Sequence, residues 1–420
     1  MNILKRSYVK YKLRNGLEVI LSKSNGIPLV SVNIWYKTGS ANDPEMKTGL
    51  AHLFEHMMFQ GSQNIEKQMH FKYIQEAGGT LNGSTSFDRT NYFEKVPSNF
   101  LELVLWLEAD RMGFLLPALT QEKLDNQIDV VRNERLERYD NQPYGLAWEL
   151  LISNIYPEKH PYHSSTIGSI EHISSFNLED VKNFFKKYYS PSNASLVICG
   201  EFDIESAKYW VEKYFGDLES SENNTEPDIK NFNLTETKEI IHEDNVQLER
   251  LYLAWPTTTI FSRHDSAYEI LADILSGSKD SRISKKLVFE KEIAQDVSSF
   301  QYSGKYGGHF MIVATAKPGI SLNQIKDEIF AELNKAASGE ISLKEITKTK
   351  NGIKSSFIYS MQNIDTIADH LNSYNFYLSE PDSFLYDLMR YESVTPDDLI
   401  QTASSLVNSS FVELRITPKG

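Results

Sequence analysis

Apolar positions along this chain switch repeatedly between a period of two and a period near 3.6, and each switch marks an element. Alternation predicts strands at Tyr8 to Arg14 and Leu17 to Ser22, joined at Asn15-Gly16, a pair suited to a tight hairpin. Leu29 to Tyr36 is a third strand, with Val30, Val32, Ile34 and Tyr36 on one face. Thr80 to Val96 returns to extended structure. Helical spacing predicts helices at Glu66 to Ala77, Asn99 to Gly113, Gln121 to Tyr139, Leu178 to Tyr188 and Ile204 to Phe215, with the apolar strand Ala194 to Cys199 before the last.

The stretch Leu218 to Asn233 is polar, acidic and without period, as a linker would be. Beyond it, strands recur at Leu248 to Trp255, Val297 to Ser303, His309 to Ala316 and Ser410 to Ile416. Helices fall near Asp265 to Leu275, Ile320 to Ala337, Leu343 to Ser360 and Pro396 to Leu406. Both halves therefore read as α+β, each a mostly antiparallel sheet with helices packed on one side. The expected organisation is a domain at 1–217, a linker at 218–235 and a homologous domain at 236–420. The homology rests on laying Ala267 to Ser278 over Leu50 to Ser62 with one residue of gap. Glu269, Ala272 and Asp273 then stand where the first half has His52, Glu55 and His56.

Between Gly49 and Phe59 the pattern carries more than packing. Leu50, Leu53, Phe54, Met57 and Met58 follow the spacing of a buried helical face, while His52, Glu55 and His56 project from the other side. Two histidines at i and i+4 can reach one zinc ion at roughly 2.0–2.1 Å, with Glu55 between them in azimuth. His-x-x-Glu-His is the inverted form of the commoner zinc-protease helix.

Composition narrows the field. At 420 residues the chain is too long for one core, and 40% hydrophobic with 24% charged residues is ordinary for a folded protein. A net charge of −14 argues against a nucleic-acid partner. Cys199 is the single cysteine, which excludes an internal disulfide and a cysteine-based zinc cluster. No apolar run reaches the length of a signal peptide or a membrane span, so the sequence reads as cytoplasmic, or periplasmic if a leader was removed.

A catalytic zinc usually has three protein ligands and a water. The helix from Gln121 offers a third in Glu134, which shares a face with Gln127, Val130 and Val131. An ion pair with Arg132, Arg135 or Arg138 would serve that carboxylate equally, and spacing alone leaves both readings open.

Taken together, these segments resemble the pitrilysin and insulinase type of inverted-motif zinc metallopeptidases, in particular short members akin to the β subunit of the mitochondrial processing peptidase. The resemblance rests on His52-Leu-Phe-Glu-His56 with Gly61-Ser62, on Gly78-Gly-Thr-Leu-Asn-Gly83, and on Val130-Val-Arg-Asn-Glu134 followed by Asp140-Asn-Gln-Pro143. His160-Pro-Tyr162, Ile167-Gly168 and Ser195-Leu-Val-Ile-Cys-Gly200 complete it. It is dense in the first half and thin in the second.

This resemblance implies one zinc per chain held by His52, His56 and Glu134, with Glu55 as general base for water attacking the scissile carbonyl of an unfolded peptide inside a closed chamber. Gln127 takes the place of a glutamate that supports the site in relatives. Leu81, Asn82, Gly83, Ser84 and Thr85 would form a substrate-binding edge strand on which a peptide pairs by backbone hydrogen bonds; an edge strand merely guarded by polar residues reads the same way. Self-sufficient relatives also carry an Arg and, seven residues later, a Tyr that hold the substrate carbonyl. Here, aligned at Ser281 to Leu287, those positions are Val288 and Gln295. The resemblance therefore implies a heterodimer whose homologous partner supplies the Arg/Tyr pair, or else a homodimer. The competing reading is a non-catalytic peptide-binding subunit of a heteromeric peptidase.

Overall fold

A computed structural model describes residues 4–221, 229 and 232–419. Of the linker expected at 218–235, residues 222–228, 230 and 231 lie outside the described residues. Two compact units emerge, and neither is contiguous in sequence. The first comprises Met1–Arg135, Ser164–Asp228 and Ile358–Leu385; the second comprises Leu136–His163, Ile229–Phe357 and Tyr386–Gly420. Compared with the linear division at 217 and 236, two segments change sides, and hydrogen bonds explain both. In the helix Ile364–Leu378, Asn372 Nδ2 donates to Asn33 O at 2.9 Å and Asn375 Nδ2 to Glu18 Oε2 at 2.7 Å, both in the first unit. In the other segment, Tyr144 N donates to Asp244 Oδ2 at 2.8 Å and Tyr144 Oη to Leu248 O at 2.7 Å, both in the second.

The first unit is built on a six-stranded sheet: β1 (Val9–Lys12), β2 (Glu18–Lys23), β3 (Leu29–Tyr36), β4 (Thr80–Thr85), β5 (Thr90–Pro97) and β6 (Ala194–Gly200), in the order β1-β2-β6-β3-β5-β4. Only β2 and β6 run parallel. Gly16 makes the first turn at a φ of 96°, where a side chain would be strained. Helices α1 (Leu50–Met57), α2 (Met69–Glu76), α3 (Leu101–Ala118) and α4 (Gln121–Arg135) follow. The helix expected to run from Gln121 to Tyr139 stops at Arg135, and Leu136–Asp140 continues as a wider turn closed by Asn141 N to Leu136 O at 2.9 Å.

Val30, Val32, Ile34 and Tyr36 are fully buried on one face of β3. On the alternate face Asn33 and Trp35 meet Ile364–Leu378, where Asp369 Oδ1 accepts from Trp35 Nε1 at 3.0 Å. This helix thus covers the opposite side of the sheet through polar contacts, an addition to the one-sided packing expected.

The second unit has strands β7 (Lys238–Asp244), β8 (Arg250–Thr257), β9 (Ala294–Gly304), β10 (Gly307–Ala316) and β11 (Val412–Pro418), in the order β7-β11-β8-β10-β9. Only β7 and β11 are parallel. The same succession of neighbours and directions occurs in β2-β6-β3-β5-β4, so the fold is α+β with one sheet topology used twice. Helices α5 (Asp265–Ser276), α6 (Leu322–Ala337) and α7 (Leu343–Ser360) hold the places of α1, α3 and α4 in chain order. Its core joins Leu253 and Trp255 of β8 to Ile270 and Ile274 of α5 and to Ile329 and Leu333 of α6.

Candidate metal centre

α1 begins where a chain with side chains could not pass. Gly49 has a φ of 91°, and a Cβ there would lie 2.5 Å from Ile167 O. Ahead of it, the Asp43 carboxylate accepts from Gly49 N at 2.7 Å and Ala51 N at 2.8 Å, satisfying amides that the first turn leaves open. Burial pushes the Asp43 carboxyl up to about 8, against the pull of those backbone bonds. Leu50, Leu53, Phe54 and Met57 are buried, and the Phe54 ring lies 4.2 Å from that of Tyr189. With that face fixed, His52, Glu55 and His56 are half-buried on the other.

α4 packs beside α1, and its Leu124, Ile128 and Val131 are buried. Of the residues expected to share a face with Glu134, Gln127 and Val131 are buried and Val130 is 40% exposed. Glu134, one turn beyond Val130, brings Oε2 to 3.3 Å from His56 Nε2 and 3.8 Å from His52 Nε2. The two imidazoles meet edge-on with centroids 4.9 Å apart. Three ligands on a tetrahedral zinc with bonds of 2.0–2.1 Å stand about 3.3 Å from one another, so this donor set fits that ion. Of the arginines that offered an alternative for Glu134, Arg132 pairs with Asp129 at 3.5 Å, and Arg135 Nη1 donates to Gly168 O. Gln127 is buried, and its amide donates to Asn126 Oδ1 at 2.9 Å rather than to His52, His56 or Glu134.

Glu55 lies against β4. A Cβ on Gly83 would approach Glu55 Cγ to 3.3 Å, and Thr85 Oγ1 donates to Glu55 Oε2 at 2.6 Å. Burial pushes the Glu55 carboxyl above its ordinary range, opposed by the Thr85 bond and by His56, and reinforced by Glu134.

β4 is an edge of the sheet, and its hydrogen-bonding parity says which groups face outward. Ser86 N bonds Arg89 O at 2.9 Å, so Ser86 and Arg89 form a hydrogen-bonded pair. In an antiparallel ladder such pairs alternate with non-bonded ones. Ser84 opposite Asn91 and Asn82 opposite Phe93 therefore turn their backbone inward to β5. Leu81, Gly83 and Thr85 present theirs to the open edge. Gly83 N meets Asn82 Oδ1 at 2.9 Å there. Ser84 Oγ bonds Asn91 Oδ1 at 2.6 Å on the face away from Glu55.

Three features escape a linear reading. Thr85 touches Glu55 with its hydroxyl, a contact hinted at only by its sharing a face with Gly83. Asp43 anchors α1 from six residues ahead of Gly49. His70, which stands alone in sequence, joins Glu94 and Glu108 in a buried cluster, with Nε2 3.3 Å from Glu94 Oε1. No local pattern links those three. Arg111 already supplies the cation in this cluster: its Nη2 lies 3.2 Å from Glu94 Oε1 and bonds Glu108 directly. Burial and Arg111 push the His70 imidazole down to about 3. Together the four side chains form a buried hydrogen-bonded network.

In the second unit the places of the site residues hold other chemistry. Asp273 Oδ2 accepts from Thr349 Oγ1 of α7 at 2.6 Å, and Glu269 Oε2 accepts from Tyr391 Oη at 2.7 Å. Among the described residues, this unit has no group of metal-ligating side chains. His160 Nε2 and His163 Nδ1 contact the carbonyls of Tyr306 and Tyr156, at 3.1 and 2.9 Å.

The profile described as insulinase (peptidase family M16) matches residues 18–168, and that described as peptidase M16 inactive domain matches residues 175–353. The chain is 30% identical over 363 residues to the zinc protease PqqE of Helicobacter pylori, covering 85% of this chain and 80% of that protein. It is 24% identical over 372 residues to a probable mitochondrial-processing peptidase subunit beta of Arabidopsis thaliana, covering 86% and 68%. A crystal structure of a protease from Helicobacter pylori superposes with a TM-score of 0.92 at 26% identity, over 99% of this chain and 100% of that one. A peptidase M16 inactive domain from Pseudomonas fluorescens shares the fold, with a TM-score of 0.85 at 18% identity over 99% of each chain.

Proposed function

The chain belongs to the insulinase (peptidase M16) family, and on that footing we propose that it is a zinc-dependent endopeptidase acting on unfolded peptides or short protein segments. The observation that carries the proposal is the convergence of His52, His56 and Glu134 from two helices, with Glu55 beside them. These three side chains would hold one zinc. When bound, zinc polarises the scissile carbonyl and makes water nucleophilic near neutral pH.

The chain's own groups do the rest. Glu55, with Oε2 engaged by Thr85, keeps Oε1 to accept the proton of the attacking water and to pass it to the leaving amine. Leu81, Gly83 and Thr85 offer their outward N–H and C=O groups to an extended peptide, which fixes its register across the site by β-pairing. Asn82 would yield the Gly83 N–H as the peptide pairs, while Ser84 holds the strand to β5 from the far face. Gln127, buried on α4, stands where relatives carry a charged residue.

A silent peptide-holding subunit would have no need of an intact His52, Glu55, His56 and Glu134, and this favours the enzyme. The second part of the proposal concerns a partner. Val288 packs against the second core and Gln295 is exposed on β9, so the positions of the Arg/Tyr pair carry no charge and no phenol. A homologous partner chain supplying that pair would complete oxyanion stabilisation; a homodimer working without it is the runner-up. Metal analysis of the purified chain, followed by a quenched-peptide assay alone and with a candidate partner, tests both parts. A zinc-free chain without peptidase activity in either assay would overturn the enzyme, and full activity unchanged by any partner would overturn the divided site.

A further inference from the structure

We propose that Thr85 is a positioning residue for Glu55, so that the strand that pairs with the peptide also aims the base; this rests on the peptidase reading above. Thr85 Oγ1 donates to Glu55 Oε2 at 2.6 Å, and Thr90 Oγ1 stands 3.5 Å behind it, on the strand partner of Thr85. Two residues earlier, Gly83 leaves room for Glu55 Cγ to lie directly on the backbone, 3.3 Å from where a Cβ would be. The stem and the head of Glu55 are therefore both held by β4, at successive positions of one face.

A glutamate side chain has three rotatable bonds, and a base must meet its proton within hydrogen-bond reach. Fixing one carboxylate oxygen leaves the other a narrow range of positions. Thr85 does this with its side chain while its backbone N–H and C=O face the open edge. A peptide that pairs as far as Thr85 immobilises the residue that holds the base. Occupancy of the edge and alignment of Glu55 become one event.

The test uses the full zinc-loaded chain. Thr85→Val keeps the shape and the β-branch and deletes the hydroxyl; Thr85→Ser restores it. Each is made alone and together with Glu55→Gln. Readouts are zinc content, kcat and KM on a quenched peptide, and Kd for a peptide hydroxamate, whose hydroxyl bonds to the base carboxylate. Thr85→Val is expected to keep zinc and KM and to lose about 10- to 100-fold in kcat, the scale of a misplaced catalytic group. Thr85→Ser returns to within a few-fold of the wild type. Hydroxamate affinity falls about tenfold with Thr85→Val when Glu55 is present and does not fall further on the Glu55→Gln background, because coupled residues are not additive.

An unchanged kcat, a rise in KM alone, loss of zinc with the hydroxyl, or equal affinity losses on both backgrounds would each overturn the inference. The underlying reading fails in a different way: a wild type that binds no zinc, or an active Glu55→Gln, removes both. An inactive Glu55→Gln beside an unimpaired Thr85→Val removes only the role of Thr85.

Discussion

Glu134 Oε2 lies 3.3 Å from His56 Nε2, although the two residues belong to separate helices and α2, β4, β5 and α3 intervene in the chain. This contact closes the donor set, and it makes the third ligand testable on α4 alone. Glu134→Ala should weaken zinc binding by more than the roughly 10- to 100-fold typical of losing an outer partner. Glu122→Ala on α4 and Glu137→Ala on the turn that follows it, both exposed, should leave it unchanged. Competition with a chromophoric chelator reads all three. Equal affinity in Glu134→Ala and the wild type would place the third ligand elsewhere.

How much of this was legible in the chain depends on how local each signal is. α1 could be read because its buried stripe and its His-Glu-His stripe both lie within a few turns. The β1–β2 hairpin could be read from Asn15-Gly16. β7 escaped because Lys-Glu-Ile-Ile-His-Glu-Asp is a charged edge strand, held by pairing to β11 rather than by its own apolar pattern. The helix Ile364–Leu378 escaped because Asp369, Asn372 and Asn375 face the first sheet, so its packing face looks like a solvated one. Thr85 could be placed on an edge strand, but its bond to Glu55 depends on how α1 crosses that strand.

The internal ion network makes a prediction about stability. Arg111 is buried between Glu94 and Glu108. Arg111→Met removes the cation and should cost about 3–5 kcal/mol, because buried carboxylates lose their partner. Glu108→Gln keeps a side-chain oxygen to accept from Arg111 and leaves Glu94 beside the guanidinium, so it should cost less. Denaturant unfolding of the two variants checks the order, and added zinc should not restore Arg111→Met.

Glu269 makes a pH prediction. Burial raises its carboxyl from 4.5 to about 7 in the folded chain. A carboxyl with a raised folded pKa contributes stability that is fully present below its unfolded value, near 4.5, and is lost as pH rises through 7. Glu269→Gln keeps an acceptor for Tyr391 Oη and never becomes charged. It should therefore be more stable than the wild type at pH 8, by an amount on the order of 3 kcal/mol. The difference should disappear by pH 4. Thermal unfolding at the two pH values measures it, and a difference that grows toward acid pH would contradict the assignment.

The central claim is that His52, His56 and Glu134 bind zinc and Glu55 carries the proton. Zinc content and kcat measured on one preparation of Glu55→Gln test it most directly. The account predicts zinc equal to the wild type and a kcat lower by roughly 10²- to 10⁴-fold, the contribution of a general base. A Glu55→Gln chain that holds zinc and keeps more than about a tenth of wild-type kcat would contradict it.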